Sequence, residues 1–412
     1  MLNMMSGGVS SGLVGRGWTA IMLMAMSLGL FIQITGKVWF LSGSGRNGQI
    51  YVWLLLPALI YCLNCLIRNR FRLALSYLPW LAFLAWVALS ALWATDSETS
   101  VLSLMKRGIF IALYLFAIYL LVNHAEEKFR RVLLMSIIVV AVSALASLVY
   151  QYGVLGKPWG YRAYRIDRLG FSNVANYGWP VAAGIFHGAI ATWALALALD
   201  KKNGFGRVSF WFAAFAILSL YVIMTGTRGA WVALAGSSML AVILQRPQLA
   251  KLILSISVLL MVAGAFLKWG AIVEEVGGRQ FSGRGGIWAY FFDVMSGHWI
   301  IGYGVGTPFE YIWPNKISTS PHAHSLYLQQ IYDSGLIALG LLGLGLFVVI
   351  SRAWGMRDNP WVRLALPALL FALISMLTDV ERIFTRPSDY WTVFWLPVAV
   401  LLAVRGVKQN SH

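Results

Sequence analysis

The stretch FWFAAFAILSLYVIMTGTRG, residues 210–229, decides the fold class of this chain. Phe210–Met224 is unbroken by any charge, and Leu252–Leu267 repeats the pattern. Neither run shows the two-residue alternation of a barrel strand. Backbone facing lipid must satisfy its own hydrogen bonds, so uninterrupted apolar runs of this kind read as spanning helices. The whole chain agrees: of 412 residues, 59% are hydrophobic and only 11% are charged, with a mean hydropathy of +0.72. A soluble domain carries about 25% charged residues.

A span needs roughly 20 apolar residues. By that measure about 12 spans are predicted, near 18–36, 49–67, 74–94, 107–123, 132–153, 177–199, 208–224, 229–245, 250–269, 324–350, 361–379 and 391–405. The first, Thr19–Ile34, follows Arg16 but lacks a clean small-x-small cleavage pattern, so it reads as an uncleaved span rather than a signal peptide. Cys62 and Cys65 have the spacing of a redox pair. They sit inside an apolar run with no second pair or histidine beside them, which makes them structural. No internal repeat accompanies the spans, which argues against a repeat-built transporter.

Loop charge sets the orientation. Alternate connections are short and basic: Arg68–Arg72, Lys128–Arg131, Lys201-Lys202 with Arg207, Arg246 with Lys251, Arg352 with Arg357, and Arg405 with Lys408. The positive-inside rule places these in the cytoplasm together with both termini. The net charge of +17 follows largely from that rule, and its scatter over many loops argues against nucleic acid as a partner. The remaining loops then face outward, and the longest divides the chain: spans one to nine in 1–269, an outer loop region in 270–323, and the last three spans with a tail in 324–412. Its aromatics, Trp288 through Trp313, suit an interfacial belt or short helices on the bilayer surface.

The outer loops should be poor in basic residues, yet they hold Arg162, Arg165, Arg168, Arg228, Arg279, Arg284, Arg382 and Arg386. A guanidinium binds phosphate oxygens bidentately and keeps its charge when partly dehydrated. Convergence of several would make a pyrophosphate site at headgroup level. The competing reading is that each one anchors to lipid or pairs with an acid such as Asp167, Glu275 or Glu381. Arg46 and Arg107 lie near earlier outer loops without comparable companions. Two short stretches set an arginine in flexible backbone, Thr225-Gly226-Thr227-Arg228-Gly229 and Ser282-Gly283-Arg284-Gly285-Gly286. The first also opens a helix, whose N-terminus adds partial positive charge.

Pro321-His322-Ala323-His324-Ser325 opens a later span at the outer side. A histidine there is reachable by water, and its unperturbed pKa of about 6.5 suits proton transfer at neutral pH. No carboxylate pair stands beside His322 and His324 to complete a metal site.

Thr225–Trp231, the run from Gly283-Arg284 through Trp288 to Gly302-Tyr303-Gly304-Val305-Gly306, and His322–Gly340 together resemble the O-antigen ligase family, within the group that includes O-antigen polymerases. In those ligases a histidine is followed by Asn, Ser or Gln, nine residues, a glycine, two residues, and Gly, Thr or Tyr. His324, Ser325 and Gly335 match at that spacing; Ala338 departs at the last position, and Gly340 follows two residues later.

The resemblance implies an all-α polytopic, GT-C-like glycosyltransferase of the bacterial inner membrane that needs no cofactor or metal. It implies transfer of O-antigen from undecaprenyl pyrophosphate to lipid A–core at the periplasmic face, with inversion. His324 would be the base. Arg228, Arg284, Arg168, Arg165, Arg162 and Arg279 would bind the pyrophosphate, with His322, Arg382 and Arg386 in support. The other readings are an O-antigen polymerase, a protein O-oligosaccharyltransferase and a lipid-linked glycan transporter. Charges clustered at span ends rather than at the midplane count against the last.

Overall fold

The protein is described from a computed structural model over residues 13–69, 73–160, 162–246, 248, 284–314, 318–379 and 382–405. The expected span near 250–269, Arg279, Ser282 and Gly283 lie outside these residues. So do Arg70, Arg72, Lys251, Lys408, Lys316 and the acids Glu275 and Glu381.

Among the described residues nine helical stretches are long and apolar enough to cross a membrane, and Pro360–Ser375 and Trp391–Ala403 are shorter apolar helices. The chain is therefore a polytopic helical membrane protein. We number α1 (Leu13–Trp39), α2 (Gly43–Ile50), α3 (Leu56–Ile67), α4 (Leu78–Ser90), α5 (Val101–His124), α6 (Glu126–Leu148), α7 (Pro180–Ala198), α8 (Phe205–Met224), α9 (Arg228–Gln245), α10 (Arg284–Val294), α11 (Leu326–Gly355), α12 (Pro360–Ser375) and α13 (Leu396–Ala403). A π-turn over Tyr51–Leu55 fuses α2 to α3, and Trp391–Trp395 leads the same way into α13. Eleven expected spans correspond to these helices.

Helix α7 lies at the centre, against α8, α9 and α12. Apolar attraction between helices is weak in lipid, so close packing of small residues must hold them. Helix α7 supplies Ala183, Gly184, Gly188, Ala189, Ala191 and Ala194, all buried. A Cβ on Gly188 would collide with the Phe371 ring of α12.

Helix α11 is broken. Gly335 has φ +74° and ψ −179°, so Leu326–Ser334 and the residues after it form two half-helices. The groups freed at the break find partners. Leu336 N donates to Trp299 O at 2.8 Å, Ile337 N donates to Ile300 O at 3.4 Å, and Tyr303 N donates to Tyr332 O at 2.8 Å. Trp86 Nε1 donates to Ser334 O at 2.8 Å. Residues 299–303 are thus stitched into the break, where a Cβ at 335 would overlap the Ile300 carbonyl.

The aromatics of this region do not all face outward. Ile287, Phe291, Met295, Phe309, Ile331 and Tyr332 form a small core of their own, with Trp288, Trp299 and Tyr303 packed on it, while Phe292 is exposed. Among the described residues the strands are a ribbon of β1 (Tyr311–Ile312) antiparallel to β2 (Thr319–Ser320).

Loops meet at one end of the bundle. Ile166 N donates to Met224 O at 3.3 Å, and Leu326 N donates to Met376 O at 3.0 Å. Thr95 N donates to Thr307 Oγ1 at 3.0 Å. This loop-rich end carries the candidate residues.

Candidate functional site

Helix α8 stops at Met224 and α9 starts at Arg228, leaving three residues for the turn. Thr225 closes it, donating from Oγ1 to Val222 O at 2.7 Å and accepting from Thr227 N at 3.3 Å. Gly226 has φ +62°, a left-handed conformation that glycine adopts without penalty. Two arginines from the 155–179 loop lie over this turn. Arg165 donates from Nε to Thr225 O at 2.6 Å and from a terminal nitrogen to Thr227 Oγ1 at 3.4 Å. A Cβ at 226 would stand 3.3 Å from Arg162 Cγ and from Arg165 Nε. Gly184 of α7 supports the turn from below, where a Cβ would meet Thr225 Oγ1 at 2.7 Å.

Arg284, the first residue of α10, forms an ion pair with buried Asp379. Thr378 Oγ1 donates to the other carboxylate oxygen, Oδ2, at 2.8 Å. That oxygen lies so close to Gly229 that no side chain fits there. Asp379 therefore joins Arg284 to the first turn of α9, which Arg228 begins. Arg284 Nε is buried and has no hydrogen-bond partner in the structure. A donor left unsatisfied in low dielectric is costly even where, as here, the guanidinium charge is paired.

The histidine motif is tied to the same frame. Trp288, one turn after Arg284 on α10, donates from Nε1 to Ala323 O at 3.1 Å. Ala323 N donates to Gln329 Oε1 at 2.9 Å. Segment 376–379 accepts the first amide of α11 through Met376 O and grips Arg284 through Asp379. His324 is half-buried with φ +50°, a strained conformation for a side chain with a Cβ. Such strain is of order 1–3 kcal/mol and persists only where the surroundings impose it. His324 N donates to His322 Nδ1 at 3.3 Å, and the two rings lie 4.1 Å apart.

The expected arginine set does not converge as one group. Arg162 and Arg165 lie over the turn that ends at Arg228, Asp379 ties Arg284 to the first turn of α9, and Trp288 ties α10 to the histidine motif. Arg168 turns aside to a two-bond pair with Asp167, both at 2.8 Å, as the competing reading of anchored arginines expected. That contact raises the pKa of its guanidinium. Gln151 holds the loop behind it, donating to Leu169 O at 2.9 Å and accepting from the Tyr164 hydroxyl at 2.9 Å. Burial pushes the pKa of that hydroxyl up.

Arg382 is clamped to Asp333 at 2.6 and 2.9 Å. Arg386 lies near Tyr51 and Arg107 instead. Arg107 and Arg46 were expected to lack companions and both have them. Arg46 pairs with Asp389 at 2.6 Å, and Arg107 faces Arg382 and Arg386. Their companions come from the last loop, more than 270 residues on, so no local pattern shows them. Asp379 and Asp333 were also missed; the only hint was that an acid ending an apolar run needs a partner. Among the described residues no three His, Cys, Asp or Glu side chains form a metal-holding group.

Fold and site define a polytopic helical membrane protein whose arginine turn, Arg284–Asp379 junction and histidine motif are tied together at one end of its bundle. Residues 213–343, which contain the arginine turn, α10 and the histidine motif, match the family described as O-antigen ligase. The chain is 27% identical over 384 residues to an O-antigen ligase of Pseudomonas aeruginosa, covering 92% of this chain and 90% of that one. Both findings make the chain similar to O-antigen ligases.

Proposed function

We propose that this protein transfers O-antigen polysaccharide from undecaprenyl pyrophosphate to lipid A–core at the periplasmic face of the bacterial inner membrane. The observation that carries the reading is the Asp379 junction. One carboxylate sets Arg284 against the first turn of α9, and its neighbour Met376 caps the helix that follows His324.

The donor sugar is already activated. His324 takes the proton of an acceptor hydroxyl, whose oxygen attacks the anomeric carbon opposite the pyrophosphate. The carbon–oxygen bond to the pyrophosphate breaks, the electron pair leaves with it, and the anomeric configuration inverts. Arg228 and Arg284, with Arg162 and Arg165, hold the developing negative charge. Preorganised donors of this kind contribute about 2.7–4 kcal/mol each. General-base help contributes roughly 10²–10⁴-fold. Arg168, paired with Asp167, stands at the rim of this group, and His322 steadies His324 through its backbone amide.

The test is reconstitution. Purified protein in proteoliposomes with lipid-linked glycan and lipid A–core yields a joined product on a gel. His324→Ala lowers the rate about a hundredfold or more, and Arg284→Ala does likewise. Near-normal rates in both variants, correctly inserted, would remove the mechanism. Elongated lipid-linked glycan without use of lipid A–core would mark a polymerase instead.

A further inference from the structure

A second group of cations at the loop-rich end stands apart from the Arg284 junction. Arg107 lies in the second turn of α5, facing Arg382 and Arg386 with Asp333 and Tyr51 nearby. The approach is built in. A Cβ on Gly108 would stand 3.4 Å from the Phe384 ring, so the absence of a side chain lets the 382–386 loop lie on α5. Ile383 and Phe384 are buried there, and Trp395 Nε1 donates to Ile383 O at 2.9 Å. Tyr51 is placed by its ring contact with Phe110, at 5.1 Å.

Three guanidinium charges against the one carboxylate of Asp333 leave two positive charges in a partly buried space. Two donors lack partners. Arg107 Nε is buried without a hydrogen bond, and so is Gln330 Nε2, one turn before Asp333 on a side chain 5% exposed. Like charges brought together with unmet donors are unfavourable unless an anion joins them. The helices that carry Tyr51 and Arg107 also present exposed apolar side chains, Val52 and Ile109. An anion arriving there comes with a lipid tail. Asp333, which orients Arg382, lies eight residues along α11 from Ser325, the residue after His324, so the two groups are about 12 Å apart along the helix.

We propose that Arg107, Arg382 and Arg386 form a second anion site for a lipid-borne phosphate, and that it holds a phosphate of the glycolipid acceptor while a sugar hydroxyl reaches His324. The acceptor assignment rests on the function proposed above; the anion site does not. The bidentate geometry of guanidinium suits a phosphate monoester, and the same chemistry would take a phospholipid headgroup.

Binding distinguishes these sources without any ligation. Full-length protein in phosphatidylcholine nanodiscs is titrated with lipid A–core carrying its phosphates and with the same glycolipid after phosphatase treatment. The intact form is expected to bind about tenfold more tightly, one phosphate contact being of that order. Arg386→Gln, at an exposed position, and Arg107→Gln remove the preference without changing affinity for the dephosphorylated form. If Arg107→Gln fails to fold, Arg386→Gln alone decides. A preference only for phosphatidylglycerol over phosphatidylcholine discs, lost in the variants, would overturn the acceptor assignment in favour of a headgroup. No phosphate preference of either kind would overturn the site. A protein that binds with this preference yet ligates nothing would sink the proposed function and leave the site standing.

Discussion

Asp379 does two things with one carboxylate: it neutralises one arm of Arg284 and closes over Gly229. An acid inside a pyrophosphate site would be repulsive if it faced the ligand. Here it is buried behind Arg284, so it fixes the guanidinium and leaves Nε unsatisfied. Asp379→Asn keeps the size and removes the charge. Ligation is expected to fall roughly tenfold to a hundredfold, the scale of a misplaced catalytic group. Thermal stability should change less than in Asp379→Ala, which also empties the space over Gly229. Equal activity of the Asn variant and wild type would show that Arg284 is placed by other contacts. The arginines themselves were legible in the sequence, because the positive-inside rule made their excess on one side conspicuous. Their partners were not. Asp333 and Asp379 pair with Arg382 and Arg284 at separations of 49 and 95 residues, and only the folded bundle brings them together.

At the scale of elements, the apolar runs announced the spans, since length and lack of charge suffice for that. The break in α11 was visible only as a glycine inside a family-like motif. Its physical meaning is steric: the backbone at 335 is left-handed and the Ile300 carbonyl occupies the place of a Cβ. Gly335→Ala should therefore destabilise the protein by at least about 1–3 kcal/mol from backbone strain alone, with the overlap added. Thermal unfolding in detergent reads this directly, and an unchanged midpoint would mean that the segment 299–303 can give way. The outer loop was expected to form an aromatic belt or short helices, and α10 is such a short helix; what the sequence did not show is that it anchors a small aromatic core, because Phe291 and Ile287 find Phe309 and Tyr332 within reach.

For the whole molecule, the two ends differ in what holds them. The loop-rich end is joined by ion pairs and backbone bonds between distant loops, as with Arg46 and Asp389. At the opposite end the links are side-chain hydrogen bonds, again between distant parts of the chain, such as Trp361 Nε1 to Glu126 Oε1 at 2.8 Å and Asn123 Nδ2 to Ala403 O at 3.1 Å. From loop charge the first end is expected to face the periplasm and the second the cytoplasm. Single cysteines introduced into a variant lacking Cys62 and Cys65 test this in intact cells. Phe171→Cys should react with an impermeant maleimide and Lys202→Cys should not; the reverse pattern would invert the assignment and with it the side of the reaction.

The stitched break also dictates an order of assembly. The residues after Gly335 can enter the bilayer as an ordinary helix. The half-helix from Leu326 to Ser334 cannot be completed on its own, because its last carbonyls, on Tyr332 and Ser334, stay bare until Tyr303 and Trp86 reach them. His324 heads that half-helix. In the proposed mechanism the base is therefore in place only after the loop before it has docked, which would keep a half-inserted chain chemically inert.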